Sequence, residues 1–280
     1  MSARRSTICA YKPSGTVPLS RVMRTKRPVK ISEIMETEQT LIPVEMDQED
    51  VALQFSKYDL ISAAVVDEAG RLVGVVTVDD IVEVISEEAA EDIRLLAGVG
   101  EESISDSVLQ TTRSRFPWLV INLFTAVIAA SVIALFDATI EQMVALAVLM
   151  PIVASMGGNA GTQTMTVTVR ALATRDLVNF NVRRTITREF LVGILNGLMF
   201  AVLLGGLVSL VFENVWLGGV IATAMLINLI TACLAGILIP LGLDKIGVDP
   251  AVSSAVFVTT LTDTIGFFSF LGLAALILFY

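Results

Sequence analysis

Residues 150–170 read MPIVASMGGNAGTQTMTVTVR, an oily run interrupted by Gly157, Gly158 and Gly161, by Asn159 and Gln163, and by threonines at 162, 164, 166 and 168. The period-two threonines would suit a strand. An unpaired strand in hydrocarbon leaves its backbone groups unsatisfied, so a helix is expected, with Gly157–Gly158 as the place where it would break. Wound as a helix, the stretch sets Ser155, Asn159, Thr162 and Thr166 at i, i+4, i+7 and i+11 on one face, flanked by Gly158 and Gln163. Lipid rejects such a stripe, so it must turn toward protein or water. Helix–helix packing through small and hydroxyl-bearing residues is one use for it, and an ion path is another.

The rest of the chain supports a bilayer setting. Of 280 residues, 54% are hydrophobic and 17% charged, oilier than soluble domains usually are. From residue 107 onward, five charge-poor segments are each long enough for the roughly 20 residues that a span needs: 116–136, 142–169, 190–212, 214–243 and 250–280. Little more than FENVW (212–216) separates the third from the fourth, which predicts a tight helical hairpin. Arg113 and Arg115 precede the first span, Arg170, Arg175, Arg183, Arg184 and Arg188 fall between the second and third, and Lys245 lies between the fourth and fifth. The remaining connections hold only Asp137, Glu141 and Glu213. The positive-inside rule then puts the N-terminus in the cytoplasm and the C-terminus outside a multi-pass cell-membrane protein.

The fifth segment, VDPAVSSAVFVTTLTDTIGFFSFLGLAALILFY, carries Asp263, the ionisable group set deepest in these spans. A carboxylate there costs several kcal/mol unless water, a cation or a donor satisfies it. Thr259, Thr260 and Gly266 share its face. Hydrogen bonding to these threonines is the bland account of Asp263. Depth favours another. Asp263 lies about 20 Å along a helix from Pro250, and Gly157 about 22 Å from Gln142, so both sit near the midplane of oppositely directed spans. With no histidine in the chain and only Cys9 and Cys233, oxygen is the available ligand, which suits a hard cation. Magnesium sheds water reluctantly, so Gly157, Gly158, Ala160 and Gly161 are expected to leave room for a hydrated ion.

Charge is zoned along the chain. Residues 1–27 hold seven Lys/Arg and no acid, 28–106 hold twenty acids against four bases, and the remainder is balanced. An acidic head argues against nucleic acid and for multivalent cations. The basic start lacks the apolar core of a secretory signal. Within the head, ISEIME (31–36) predicts a short helix, and TLIPVEMDQEDVALQFSKYDL (40–60) a strand followed by a helix capped by Asp47. Two Val-rich strands around the turn DEAG (67–70) precede a helix opening at Asp79 or Asp80, and SEEAAEDIRLLAGV (86–99) predicts a further helix. AAVVDEAGRLVGVVTVDDIVEVI, in this strand–helix–strand–strand–helix order, resembles a CBS module over about residues 28–90.

PIVASMGGNAGTQT, followed later by DPAVSSAVFVTTLTD, resembles the MgtE-type magnesium transporter/channel family over about residues 28–280. The fold class expected is an α-helical polytopic membrane protein of five transmembrane helices with a small N-terminal cytoplasmic α/β CBS-like module. Its divisions are a basic remnant (1–27), the module (28–90), a connecting helix (91–115) and the ion-conducting domain (116–280). The resemblance implies a homodimer in a lipid bilayer, with Asp263 binding the permeating Mg²⁺ near Asn159, Gly157, Gly158, Ala160, Gly161, Thr162, Gln163, Thr259 and Thr260. It also implies regulatory Mg²⁺ held by acids matching Asp47, Glu49, Asp59, Asp80, Glu83, Glu91, Asp92 and Asp249. Against the family pattern, the acidic N-terminal domain and the first CBS module are expected to be missing from these 280 residues, with GTVPLSRVMRTKRP (15–28) resembling the tail of that module. Nucleotide binding is not expected where the CBS pair it needs is incomplete. A divalent Mn²⁺ or Co²⁺ carrier coupled to another ion and a non-conducting membrane sensor stay open. An enzyme is not expected without histidine or a nucleophile–base pair.

Overall fold

The computed structural model describes residues 11–100, 102, 105–175, 177 and 182–278. After two short helices, α1 (Leu19–Arg24) and α2 (Ile31–Ile34), the head runs β1 (Leu41–Pro43), α3 (Gln48–Tyr58), β2 (Ser62–Val66), β3 (Leu72–Thr77) and α4 (Val78–Leu96). This is the order expected of the CBS-like segment. The sheet order is β1-β2-β3; β1 pairs parallel to β2, with Ile42 opposite Val65, and β2 pairs antiparallel to β3. Turn chemistry explains the hairpin. Asp67 accepts from the backbone N–H groups of Ala69 (3.0 Å) and Arg71 (2.8 Å), while Gly70 takes φ +71°. Asp47 caps α3 by accepting from the Glu49 N–H at 2.9 Å, which leaves Val51, Ala52 and Phe55 on the face packed against Ile42, Ala63 and Ile81.

The structure corrects the two-helix reading of 79–99. α4 is one helix of 19 residues, because nothing between Ile85 and Ser86 interrupts it and its start is tied by Thr77, which donates its hydroxyl (2.7 Å) and its backbone N–H (2.9 Å) to Asp80. The chain divides into two compact units, one ending at Ala90 and the next starting at Glu91.

The second unit contains α5 (Val108–Ala134), the short α6 (Asp137–Gln142), α7 (Ala145–Ala173), α8 (Val182–Val211), α9 (Val215–Lys245) and α10 (Pro250–Leu278). All but α6 are long and apolar enough to cross a membrane. Four of these helices start or end outside their hydropathy segments, α9 by only two residues at Lys245. α5 begins at 108 rather than 116, α7 ends at 173 rather than 169 and α8 begins at 182 rather than 190. Arginine and glutamate end an apolar run without ending a helix, since both are good helix formers. Gly157–Gly158 does not break α7 either. The 212–216 hairpin forms as expected, with Asn214 accepting from the N–H groups of Trp216 (3.0 Å) and Leu217 (3.1 Å).

Helix α9 is the hub. It packs on α7, α8 and α10, and 61% of its most apolar stretch is buried, against 6% for α5, which touches α10. Close approach relies on small residues: a Cβ on Gly193 of α8 would sit 3.0 Å from Ile230 Cα, and one on Gly205 would sit 2.9 Å from the Gly218 carbonyl oxygen. The core joins Leu146, Leu149 and Val153 of α7 to Ile221, Met225 and Leu229 of α9 and to Phe270 and Leu271 of α10. At the other end of α7, Leu95 and Leu96 pack with Met165, Val169, Ala251 and Val258.

Candidate functional site

Helix α7 has two faces of opposite character. Val153, Gly157, Gly161, Thr164, Met165, Thr168 and Val169 are buried, whereas Ser155, Asn159, Thr162, Gln163 and Thr166 are exposed. The expected polar stripe therefore exists, and nothing among the described residues covers it. Thr162 donates its hydroxyl to the Gly158 carbonyl (2.9 Å) and Thr166 donates to that of Thr162 (2.9 Å). Each threonine has one O–H to give, and these are spent on the helix. What remains outward is acceptor lone pairs, the half of a hydroxyl that a cation or its water shell uses.

The buried face corrects part of the site. Gly157 and Gly161 are not open space around an ion. A Cβ on Gly157 would collide with the Asn228 side chain of α9, and one on Gly161 would sit 2.5 Å from a Val258 methyl and 3.6 Å from Thr262 of α10. Their missing side chains let three helices cross closely. Gly158 has nothing within 4 Å of its Cβ position, and Ala160 is half-buried.

Asp263 stands midway along α10, half-buried, one residue past the Thr262 that meets Gly161. The matched depths read from spacing are thus realised in contacts. Asn228 strengthens the registration by touching both Gly157 of α7 and Gly266 of α10. The bland account of Asp263 does not hold. Thr259 and Thr260 donate to the backbone of their own helix, at 2.9 Å to Ala255 O and 2.6 Å to Val256 O, and Thr262 donates to Thr259 O at 3.0 Å. No hydrogen bond or ion pair to the Asp263 carboxylate occurs among the described residues.

Two residues escaped sequence reading. Asn228 is fully buried; its amide donates to the Val153 carbonyl at 2.8 Å, and its Oδ1 has no partner among the described residues. The signal was an amide in the interior of the uncharged fourth span. Glu189 falls inside α8 once that helix starts at 182, and it accepts the Thr164 hydroxyl at 3.3 Å. A span begun at 190 left it out.

The expected regulatory acids divide by role. Asp47, Asp80 and Asp249 are helix-terminal acceptors, the last taking the Ala251 N–H at 2.8 Å. Hydrogen bonds from the Thr77 hydroxyl and then its backbone N–H hold the Asp80 carboxyl below its ordinary range. Glu49 lies in the first turn of α3, and Asp59 ends that helix at φ 50°. Glu83 is exposed on α4, with Glu91 and Asp92 half-buried further along it. Among the described residues, no three Cys, Asp or Glu side chains gather as a metal site.

Comparison with known proteins bears on both units. Residues 150–273 match the profile of the family described as MgtE, divalent cation transporter, and residues 31–87 match the CBS domain. A magnesium transporter MgtE of Enterococcus faecalis is 37% identical over 266 residues, 95% of this chain and 59% of its own length. One of Bacillus subtilis is 37% identical over 247 residues, 88% of this chain and 54% of its own length. One of Thermus thermophilus is 36% identical over 267 residues, 94% and 59% respectively. The chain thus spans a little over half the length of these relatives.

Proposed function

We propose that this chain, whose residues 150–273 match the MgtE divalent cation transporter family, carries Mg²⁺ across the membrane along the uncovered face of α7 beside Asp263. One observation carries the reading: among the described residues, a carboxylate without a protein partner stands mid-helix, in register with a polar face that none of them covers. An unpaired carboxylate in hydrocarbon is costly, whereas one facing a hydrated divalent cation is compensated. Asp263 attracts the ion through its water shell. Asn159, Thr162, Gln163, Thr259 and Thr260 accept from that shell, and Gly158 and Ala160 keep the wall low. One carboxylate holds the ion weakly enough for release.

An exposed stripe of this polarity needs a cover in lipid, and a second copy of the chain supplies it, with the path on the shared axis. By the positive-inside rule the loop arginines favour a cytoplasmic N-terminus, and an inside-negative membrane potential would draw Mg²⁺ inward along the path. In the head, Asp59, Glu83 and Glu91 make no side-chain hydrogen bond among the described residues, and Mg²⁺ bound among such acids relieves their repulsion. If the ion binds a closed arrangement better than an open one, rising internal Mg²⁺ shifts the population to closed and limits entry.

The test is uptake into liposomes loaded with a Mg²⁺-sensitive dye. Wild-type protein is expected to pass Mg²⁺ down its gradient without a proton or sodium gradient, and Asp263→Ala to lose most of that flux. Wild-type flux in the variant removes Asp263 from the path, and flux only with a coupling gradient makes the protein a carrier. Glu83→Gln with Glu91→Gln is expected to raise the internal Mg²⁺ needed for inhibition; an unchanged requirement places sensing elsewhere.

A further inference from the structure

Where α7 ends and α8 begins, the helices leave a cavity of about 540 Å³. Val167, Ala171 and Leu177 line its apolar side, and Arg184, Arg188 and Glu189 contribute its charges. Arg184 and Arg188 are four residues apart on α8, so both guanidiniums present to one opening. Neither makes a hydrogen bond or ion pair among the described residues. Glu189, which accepts from Thr164, sets one negative charge against the two guanidiniums, so the opening keeps a net positive charge with the arginines as its recognition groups. A pair of this kind matches the tetrahedral oxygens of a phosphate ester, each fork supplying parallel N–H donors.

The sequence of α8 beyond the arginines decides what the phosphate is attached to. Arg184, Arg188, Leu191, Leu195 and Leu198 follow at i, i+4, i+7, i+11 and i+14, one continuous stripe, and all five are exposed. Two cations within about 10 Å of the helix start, then aliphatic side chains deeper, reproduce along one face the order of a phospholipid, headgroup first and acyl chain after. We propose that this cavity seats the phosphate of a membrane phospholipid, held by Arg184 and Arg188, with an acyl chain lying along Leu191, Leu195 and Leu198. The site rests on α8 being a membrane span and not on which ion the chain carries. A free phosphate would use the same guanidiniums but gain nothing from the leucines.

The test is native mass spectrometry of the full chain in mild detergent, offered dioleoylphosphatidylglycerol and, separately, dioleoylglycerol, which has the same chains and no phosphate. Wild-type protein is expected to retain the phospholipid about tenfold better. Equal retention overturns the proposal without reference to any variant. Arg184→Gln with Arg188→Gln is expected to lose that preference, while Arg183→Gln, off the stripe, keeps it; a double variant that folds by circular dichroism and binds like wild type also overturns it. Millimolar inorganic phosphate is expected to leave the lipid in place. Displacement by phosphate as complete as by excess phosphatidylglycerol rejects the lipid in favour of the free anion.

Discussion

The two faces of α7 are made of much the same residues, glycine and threonine, and do opposite things. On the buried face Gly157 and Gly161 meet Asn228 and Val258, and Thr164 and Thr168 are enclosed. On the open face Gly158 meets nothing, and Asn159, Thr162, Gln163 and Thr166 stay uncovered. Residue type therefore does not separate a packed face from an open one in a membrane helix. The neighbour across the helix does, and small residues serve close packing as readily as they serve an opening.

The sharpest way to break this contrast is at the adjacent glycines. Gly157→Ala forces a methyl into Asn228 and is expected to destabilise by about 1–3 kcal/mol, read as a lower unfolding temperature in detergent. Gly158→Ala enters open space and is expected to leave that temperature near wild type. Equal losses would show that the faces are not distinct. Next comes the lock itself. Asn228→Ala removes the donor to Val153 O and empties a fully buried volume, for an expected loss of about 1–3 kcal/mol; a neutral result would mean that Asn228 does not register α7 against α10. On the open face, Asn159→Ala and Thr162→Val are expected to stay within about 0.5 kcal/mol of wild-type stability while lowering Mg²⁺ flux. A stability loss with unchanged flux would reverse their assignment.

The smallest effect concerns the head. Asp67, lowered chiefly by the Arg71 backbone N–H, and Asp80, lowered by Thr77, both have folded pKa values below their ordinary ones. Their contribution to stability is complete above the unfolded carboxylate value of about 4 and is lost as pH falls through the lower folded value. The thermal transition of the head is thus expected to hold between pH 7 and 5 and to fall below about pH 4, less so in Asp80→Asn. A fall already complete at pH 5 contradicts this.

Much of this was legible in the residues. The head's element order, the Asp47 cap, the DEAG turn, the 212–216 hairpin and the stripe on α7 follow from local chemistry and periodicity, which a single chain carries in full. What stayed hidden depends on partners distant in sequence. Gly157 and Gly158 are identical in one dimension and differ only in what lies across the helix. Asn228 is recognisable as a lock only once Val153, Gly157 and Gly266 surround it. Glu189 was lost to a boundary, because hydropathy marks where an apolar run ends and helices continue past it into the charged interface.

The central claim is that the open face of α7 lines a water-filled, cation-accepting passage. With Cys9 and Cys233 replaced by alanine, cysteines placed singly at Asn159, Thr162 and Val153 report it through reaction with a charged, membrane-impermeant methanethiosulfonate. The account predicts reaction at 159 and 162 that blocks flux and slows in Mg²⁺, and none at 153, which is fully buried. Unreactive cysteines at 159 and 162 in protein that still conducts Mg²⁺ would contradict it.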